Sequence, residues 1–190
     1  MSKPGRDYDR VDLQIGFTLV GVTLKDSAIA LDPHDAVTIA HYFLRPTSQG
    51  RCEITSSDPS APLRIDANHF ATAQDRRQGI DATRFANGLM NRPALASFSP
   101  IYAGPNPNLN FESDDQVLAM LREFGISALH VCGTCRMGSD TASVVDPMLR
   151  VRGLQRIRIV DTSIMPTRPS GNTNGPTMAM AWRAADLILA

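Results

Sequence analysis

The chain has 190 residues, 43% of them hydrophobic and 20% charged, with lysine plus arginine balanced against aspartate plus glutamate at 19 each. That much apolar material can bury a core, so the chain is not a disordered tail, and its length fits one domain or a small domain with an appendage. The charge balance excludes a global field that would attract nucleic acid or an acidic membrane, and no apolar run approaches the ~18 residues of a membrane span.

Residues 1–10 are polar and mixed in charge, unlike a secretory leader. Three cysteines, Cys52, Cys132 and Cys135, make no disulfide framework. These features lead to the expectation of a cytoplasmic protein.

In chain order, residues 12–22 and 36–44 are rich in β-formers and read as strands. Residues 51–55 form a short third strand. Residues 63–68 alternate Leu63, Ile65 and Ala67 against Arg64, Asp66 and Asn68, the period of a half-buried strand. The cluster at 56–60 is a turn. Residues 72–90 read as helix, with Ala82, Phe85, Ala86 and Leu89 at helical spacing, although Gly79 and Gly88 weaken an unbroken run. Pro93 ends that run, and residues 104–108 form a loop. Ser113 caps a second helix over 114–124, Asp114 and Asp115 suit the positive end of its dipole, and Gly125 stops it. Residues 149–151 and 157–160 read as strands around a turn at 152–154. An irregular loop over 162–175 leads into a last helix with Pro176 at its first position. Met178 and Met180 are expected in the core. The fold class is α+β.

Two segments carry chemistry. The first is His130-Val131-Cys132-Gly133-Thr134-Cys135-Arg136-Met137-Gly138. An imidazole beside a glycine turn has a clear path to a ligand and changes charge near neutral pH. The second runs from Asp146 to Pro166 and on through Asn172-Thr173-Asn174-Gly175-Pro176-Thr177. A loop feeding asparagines into a helix start offers backbone N–H groups and a positive dipole end, which stabilise anionic charge such as that of a reduced flavin. On the residues alone the result is a His/Asn pair and an anion site. Bland readings stand beside it: His130 as a core histidine, Asn172 as a turn residue and Asn174 as a helix cap. Cys132 and Cys135 form a Cys-x-x-Cys, which in isolation admits a redox dithiol or, with His130, metal ligands; no second pair accompanies it. His34, His41 and His69 have no motif around them.

The sequence resembles the C-terminal region of the glucose–methanol–choline (GMC) flavoprotein oxidoreductases. The pattern His-x-x-Gly-Thr-Cys-Arg-Met-Gly is met by residues 130–138, Asp-Pro-x-Leu-Arg-Val-x-Gly by 146–153, and Arg-Ile-Val-Asp-x-Ser-x-Met-Pro by 158–166. The loop Asn-x-Asn-x-Pro-Thr and the closing helix with Ala185 and Asp186 complete it. Upstream, residues 44–51 and 57–59 resemble the family's substrate-domain strands.

The resemblance implies an antiparallel sheet with covering helices, a substrate-binding domain, over residues 1–128. It implies the C-terminal strand–loop–helix part of an FAD-binding domain over 129–190. It implies FAD as cofactor, an alcohol or sugar as substrate, and hydride transfer from its carbon to flavin N5. It places His130 as the base that takes the hydroxyl proton and Asn172 as the partner that hydrogen-bonds the same oxygen. Asp161 and Thr162 then contact the ribityl–phosphate side, and Thr173 and Asn174 the pyrimidine edge. No metal is implied. The family's Gly-x-Gly-x-x-Gly turn, which holds the ADP half of FAD, does not occur among the 13 glycines. The expectation is therefore weak FAD binding or none by this chain alone, with the dinucleotide-binding part supplied by a partner or by a missing N-terminal domain. An inactive remnant serving as an interaction module is the alternative.

Overall fold

The computed structural model describes residues 11–25 and 28–189. Helices and small antiparallel strand pairs mix along the chain, an α+β arrangement. No described helix is long and apolar enough to cross a membrane. The chain divides into two compact units, Met1–Phe43 with Phe70–Gly125, and Leu44–His69 with Ile126–Ala190.

In the first unit, β1 (Leu13–Thr18) pairs antiparallel with β4 (Thr38–Phe43), and β2 (Val22–Lys25) with β3 (Ala28–Leu31). Helix α1 (Ala73–Met90) begins where the Thr72 hydroxyl accepts the Asp75 N–H at 3.2 Å. Its buried face holds Ile80, Ala82, Thr83 and Ala86, while Phe85, expected on that stripe, is half exposed. Gly79 does not interrupt α1. A Cβ there would come within 2.7 Å of the Phe70 ring and 3.1 Å of Leu121, so the glycine gives the neighbouring side chains room. Helix α2 (Asp114–Phe124) carries the expected Ser113 cap, and the Gly125 N–H closes it on the Leu121 carbonyl. Ile80, Leu109 and the wholly buried Val117 form the core. Arg84 donates to the Phe111 and Glu112 carbonyls and pairs with Asp114 at 2.7 Å, which fixes the entry to α2 against α1. A 3-10 turn over Pro93–Phe98, ended by Ser99 in the left-handed region, has no counterpart in the sequence reading.

The second unit contains β5 (Arg51–Glu53) paired with β6 (Arg64–Asp66), and helix α3 (Asn174–Leu189). Its core is Val145, Leu149, Ile164 and Ala184, with Met137, Val151, Ile159, Val160, Met180 and Leu187 packed around it.

Four expectations need correction. The strands do not join into one sheet; among the described residues they form three separate two-stranded pairs. Alternation along a strand reports which face is buried, not which distant strand it meets. Residues 149–151 and 157–160 are not strands but contribute single bridges, Val145 with Val151 and Arg150 with Arg158. Leu149 (φ 64°) and Arg156 (φ 62°) sit in the left-handed region, which breaks any extended run. The last helix starts at Asn174, two residues before Pro176; proline is still tolerated there, because first-turn N–H groups have no intrahelical acceptor. Met178 is 66% exposed rather than in the core.

Candidate active site

Three segments of the second unit meet. The first is the loop that begins at His130. Gly133 has φ +92°, a conformation that favours glycine, and it turns the chain back on itself. The Arg136 N–H then closes on the Gly133 carbonyl at 3.2 Å. The second segment is the turn Thr162–Ile164, capped by Asp161, whose carboxylate accepts the Ser163 N–H at 2.7 Å. The loop is stitched to this turn by Cys135 N–H to the Ser163 carbonyl (3.0 Å) and Met137 N–H to the Ile164 carbonyl (2.8 Å). Ile164 is 1% exposed and anchors the turn in the core.

The third segment is the entry to α3. Thr173 is buried, and its carbonyl accepts both the Thr177 N–H at 2.9 Å and the Thr177 hydroxyl at 2.6 Å. Its own hydroxyl lies 3.0 Å from His130 Nδ1. His130 is half-buried, and Asn172 and Asn174 are exposed on either side of Thr173 in the chain. The structure thus joins His130 to Thr173 directly and ties the His130 loop to the turn bearing Asp161 and Thr162. The Thr173 hydroxyl contact to His130 has no counterpart in the sequence reading, where Thr173 only contacts the pyrimidine edge of the flavin. A threonine beside a candidate asparagine carries no spacing signal toward a residue 43 positions away.

A charged brace backs the loop. Arg136 holds Asp140 through two bonds of 2.9 and 2.6 Å, and this guanidinium pulls the Asp140 carboxyl far below the usual carboxylate range. Arg152 donates to the Gly138 carbonyl and to Ser143 Oγ. Asp146 accepts the Arg150 backbone N–H and, through its other oxygen, Arg150 Nε. The i, i+4 spacing of Arg136 with Asp140 was visible in the sequence; the two-bond pairing was not.

Cys132 and Cys135 are half-buried free thiols. Burial pushes the Cys132 thiol up, against a smaller opposing pull from the Arg168 charge. Among the described residues no three histidine, cysteine or acidic side chains gather as metal ligands. His34 is exposed and bonded to Asp32, while burial lowers the proton affinity of His41 on β4.

The family model for GMC oxidoreductases, C-terminal region, matches residues 46–181. The chain belongs to the GMC oxidoreductase family. An alcohol dehydrogenase [acceptor] from Pseudomonas putida is 36% identical over 98% of this chain, which covers 33% of that relative. Pyridoxine 4-oxidase from Mesorbium loti superposes with a TM-score of 0.79 at 26% identity, over 92% of this chain and 34% of its own. An FAD-dependent oxidoreductase from Chaetomium thermophilum superposes at 0.72 and 30% identity, over 79% of this chain and 26% of its own. The chain therefore spans about a quarter to a third of the length of the proteins it matches.

Proposed function

We propose that this chain carries the substrate-oxidising half-site of an FAD-dependent enzyme acting on the CH–OH group of an alcohol or sugar. The observation that carries the reading is the meeting of His130 with the entry to α3 through the 3.0 Å contact to Thr173. In this reading His130 takes the hydroxyl proton, and Asn172, the residue before Thr173, hydrogen-bonds the same oxygen. A neutral amide holds the oxygen without competing for the proton, and the ordered pair pre-aligns the alcohol.

The residues present fit a flavin. A Cβ built on Gly171 or on Gly175 meets nothing within 4 Å, so backbone at the loop and helix start is open to close approach. The Asn174 and Gly175 N–H groups precede the first intrahelical bond of α3, made by Thr177, and suit the anionic pyrimidine edge. Thr173 and Asn174 would hold that edge, and Asp161 and Thr162 the ribityl–phosphate side. Bound flavin supplies the acceptor for the two electrons that leave the alcohol carbon.

The dinucleotide-binding part of the site lies outside these 190 residues, on a partner or on another domain. Residues 1–128 then serve as the substrate domain and 129–190 as a share of the FAD domain. Exposed Trp182, Ile188 and Leu189 on α3 are apolar surface suited to such packing. Purification of the native assembly tests this. A yellow species in which this chain accompanies a dinucleotide-binding polypeptide, bleached anaerobically by an alcohol, supports the reading. A colourless chain that gains neither flavin nor activity when the complementary domain is added supports the alternative, an inactive interaction module.

A further inference from the structure

We propose that Thr173 is a positioning residue: its hydroxyl holds His130 in the tautomer that carries hydrogen on Nδ1, leaving the Nε2 lone pair to accept a proton. The inference rests on the reading of His130 as a base. Its physical ground is the geometry around Thr173.

The hydroxyl lies 3.0 Å from Nδ1, within hydrogen-bond range. Thr173 is 6% exposed. Its backbone cannot drift, because its carbonyl is held by both the N–H and the hydroxyl of Thr177 at the first turn of α3. A buried, anchored hydroxyl against one ring nitrogen settles the ring's orientation; because a hydroxyl can donate or accept, the tautomer follows from what the other nitrogen must do. Histidine bases are commonly held this way, and the wrong tautomer cannot act.

Proton balance gives the direction of the bond. When the alcohol O–H breaks, its proton bonds to Nε2 and the ring becomes an imidazolium. That requires a lone pair on Nε2 beforehand, so Nδ1 must carry the hydrogen and donate it to Thr173 Oγ1. The same bond becomes charge-assisted once the ring is protonated. It is therefore stronger after proton transfer than before, which favours the transition state over the ground state.

The test reads the tautomer directly. The full chain is labelled with 15N-histidine, and two-bond 1H–15N correlations report which ring nitrogen bears hydrogen; peaks lost in His130→Gln identify this ring among the four histidines. Neutral His130 is expected as the Nδ1–H form in the wild type and in Thr173→Ser, with Thr173→Val, nearly isosteric but without the hydroxyl, shifting toward Nε2–H. An Nε2–H ring in the wild type, or an unchanged ring in Thr173→Val, overturns the proposal. In the assembled holoenzyme, Thr173→Val is expected to slow flavin reduction about tenfold at nearly unchanged KM, with Thr173→Ser within about threefold of wild type. A Thr173→Val rate equal to wild type also overturns it. If the tautomer pattern holds while no alcohol reduces the flavin, the proposed function fails and the Thr173 assignment stands.

Discussion

The Met137 backbone N–H donates to the Ile164 carbonyl at 2.8 Å, and through this bond the loop bearing His130 is fixed to the turn bearing Asp161. The acceptor residue is itself pinned, because the Ile164 side chain packs with Val145, Leu149 and Ala184. The position of the candidate base is thus set by a core residue 34 positions away (164 − 130).

Truncating that anchor should be costly. Ile164→Ala removes a fully buried side chain (1% exposed) and should destabilise the protein by about 2–5 kcal/mol in a denaturant titration. Ile101→Ala, at a residue 87% exposed, should stay within about 0.5 kcal/mol of wild type.

The two α1 glycines should respond to alanine with opposite signs. Replacing an unconstrained helical glycine by alanine stabilises by about 0.5–1 kcal/mol. Gly88→Ala meets nothing within 4 Å and should show that gain. Gly79→Ala places a methyl 2.7 Å from the Phe70 ring and should cost about 1–3 kcal/mol instead. Thermal melts of the two variants check the contrast.

The sequence was most legible where signals are local. The Ser113 cap, the Gly125 stop and the Thr72 boundary of α1 all depend on residues within four positions, and the structure has each of them. It was least legible where distant partners decide. Leu63, Ile65 and Ala67 alternated as a half-buried strand should, yet β6 covers only Arg64–Asp66 and is exposed along its length. Leu149 and Ile157 lie in β-like composition, but left-handed backbone at Leu149 and Arg156 converts the segment into a laced loop held by single bridges. Of the site, the sequence named the motif residues one by one. The hydroxyl contact between Thr173 and His130 was not legible, since no local pattern encodes it.

The Arg136–Asp140 brace predicts a pH dependence. The Asp140 carboxyl is depressed from its ordinary value of 3.8, chiefly by the hydrogen bonds from Arg136. Its contribution to stability is therefore fully present above pH 3.8 and is lost as pH falls through the lower folded-state value. Asp140→Asn should be less stable than wild type at neutral pH. The gap should close progressively as the pH is taken below 3.8, as followed by urea unfolding at a series of pH values. A gap that does not change with pH would remove the ion pair as its cause.

The central claim is that His130 accepts the substrate proton, and anaerobic stopped-flow reduction of the flavin in the assembled holoenzyme tests it most directly. With His130→Ala the rate of reduction by a saturating alcohol should fall by about 100-fold or more, with the flavin still bound. Reduction at the wild-type rate would contradict the account and remove His130 from the chemistry.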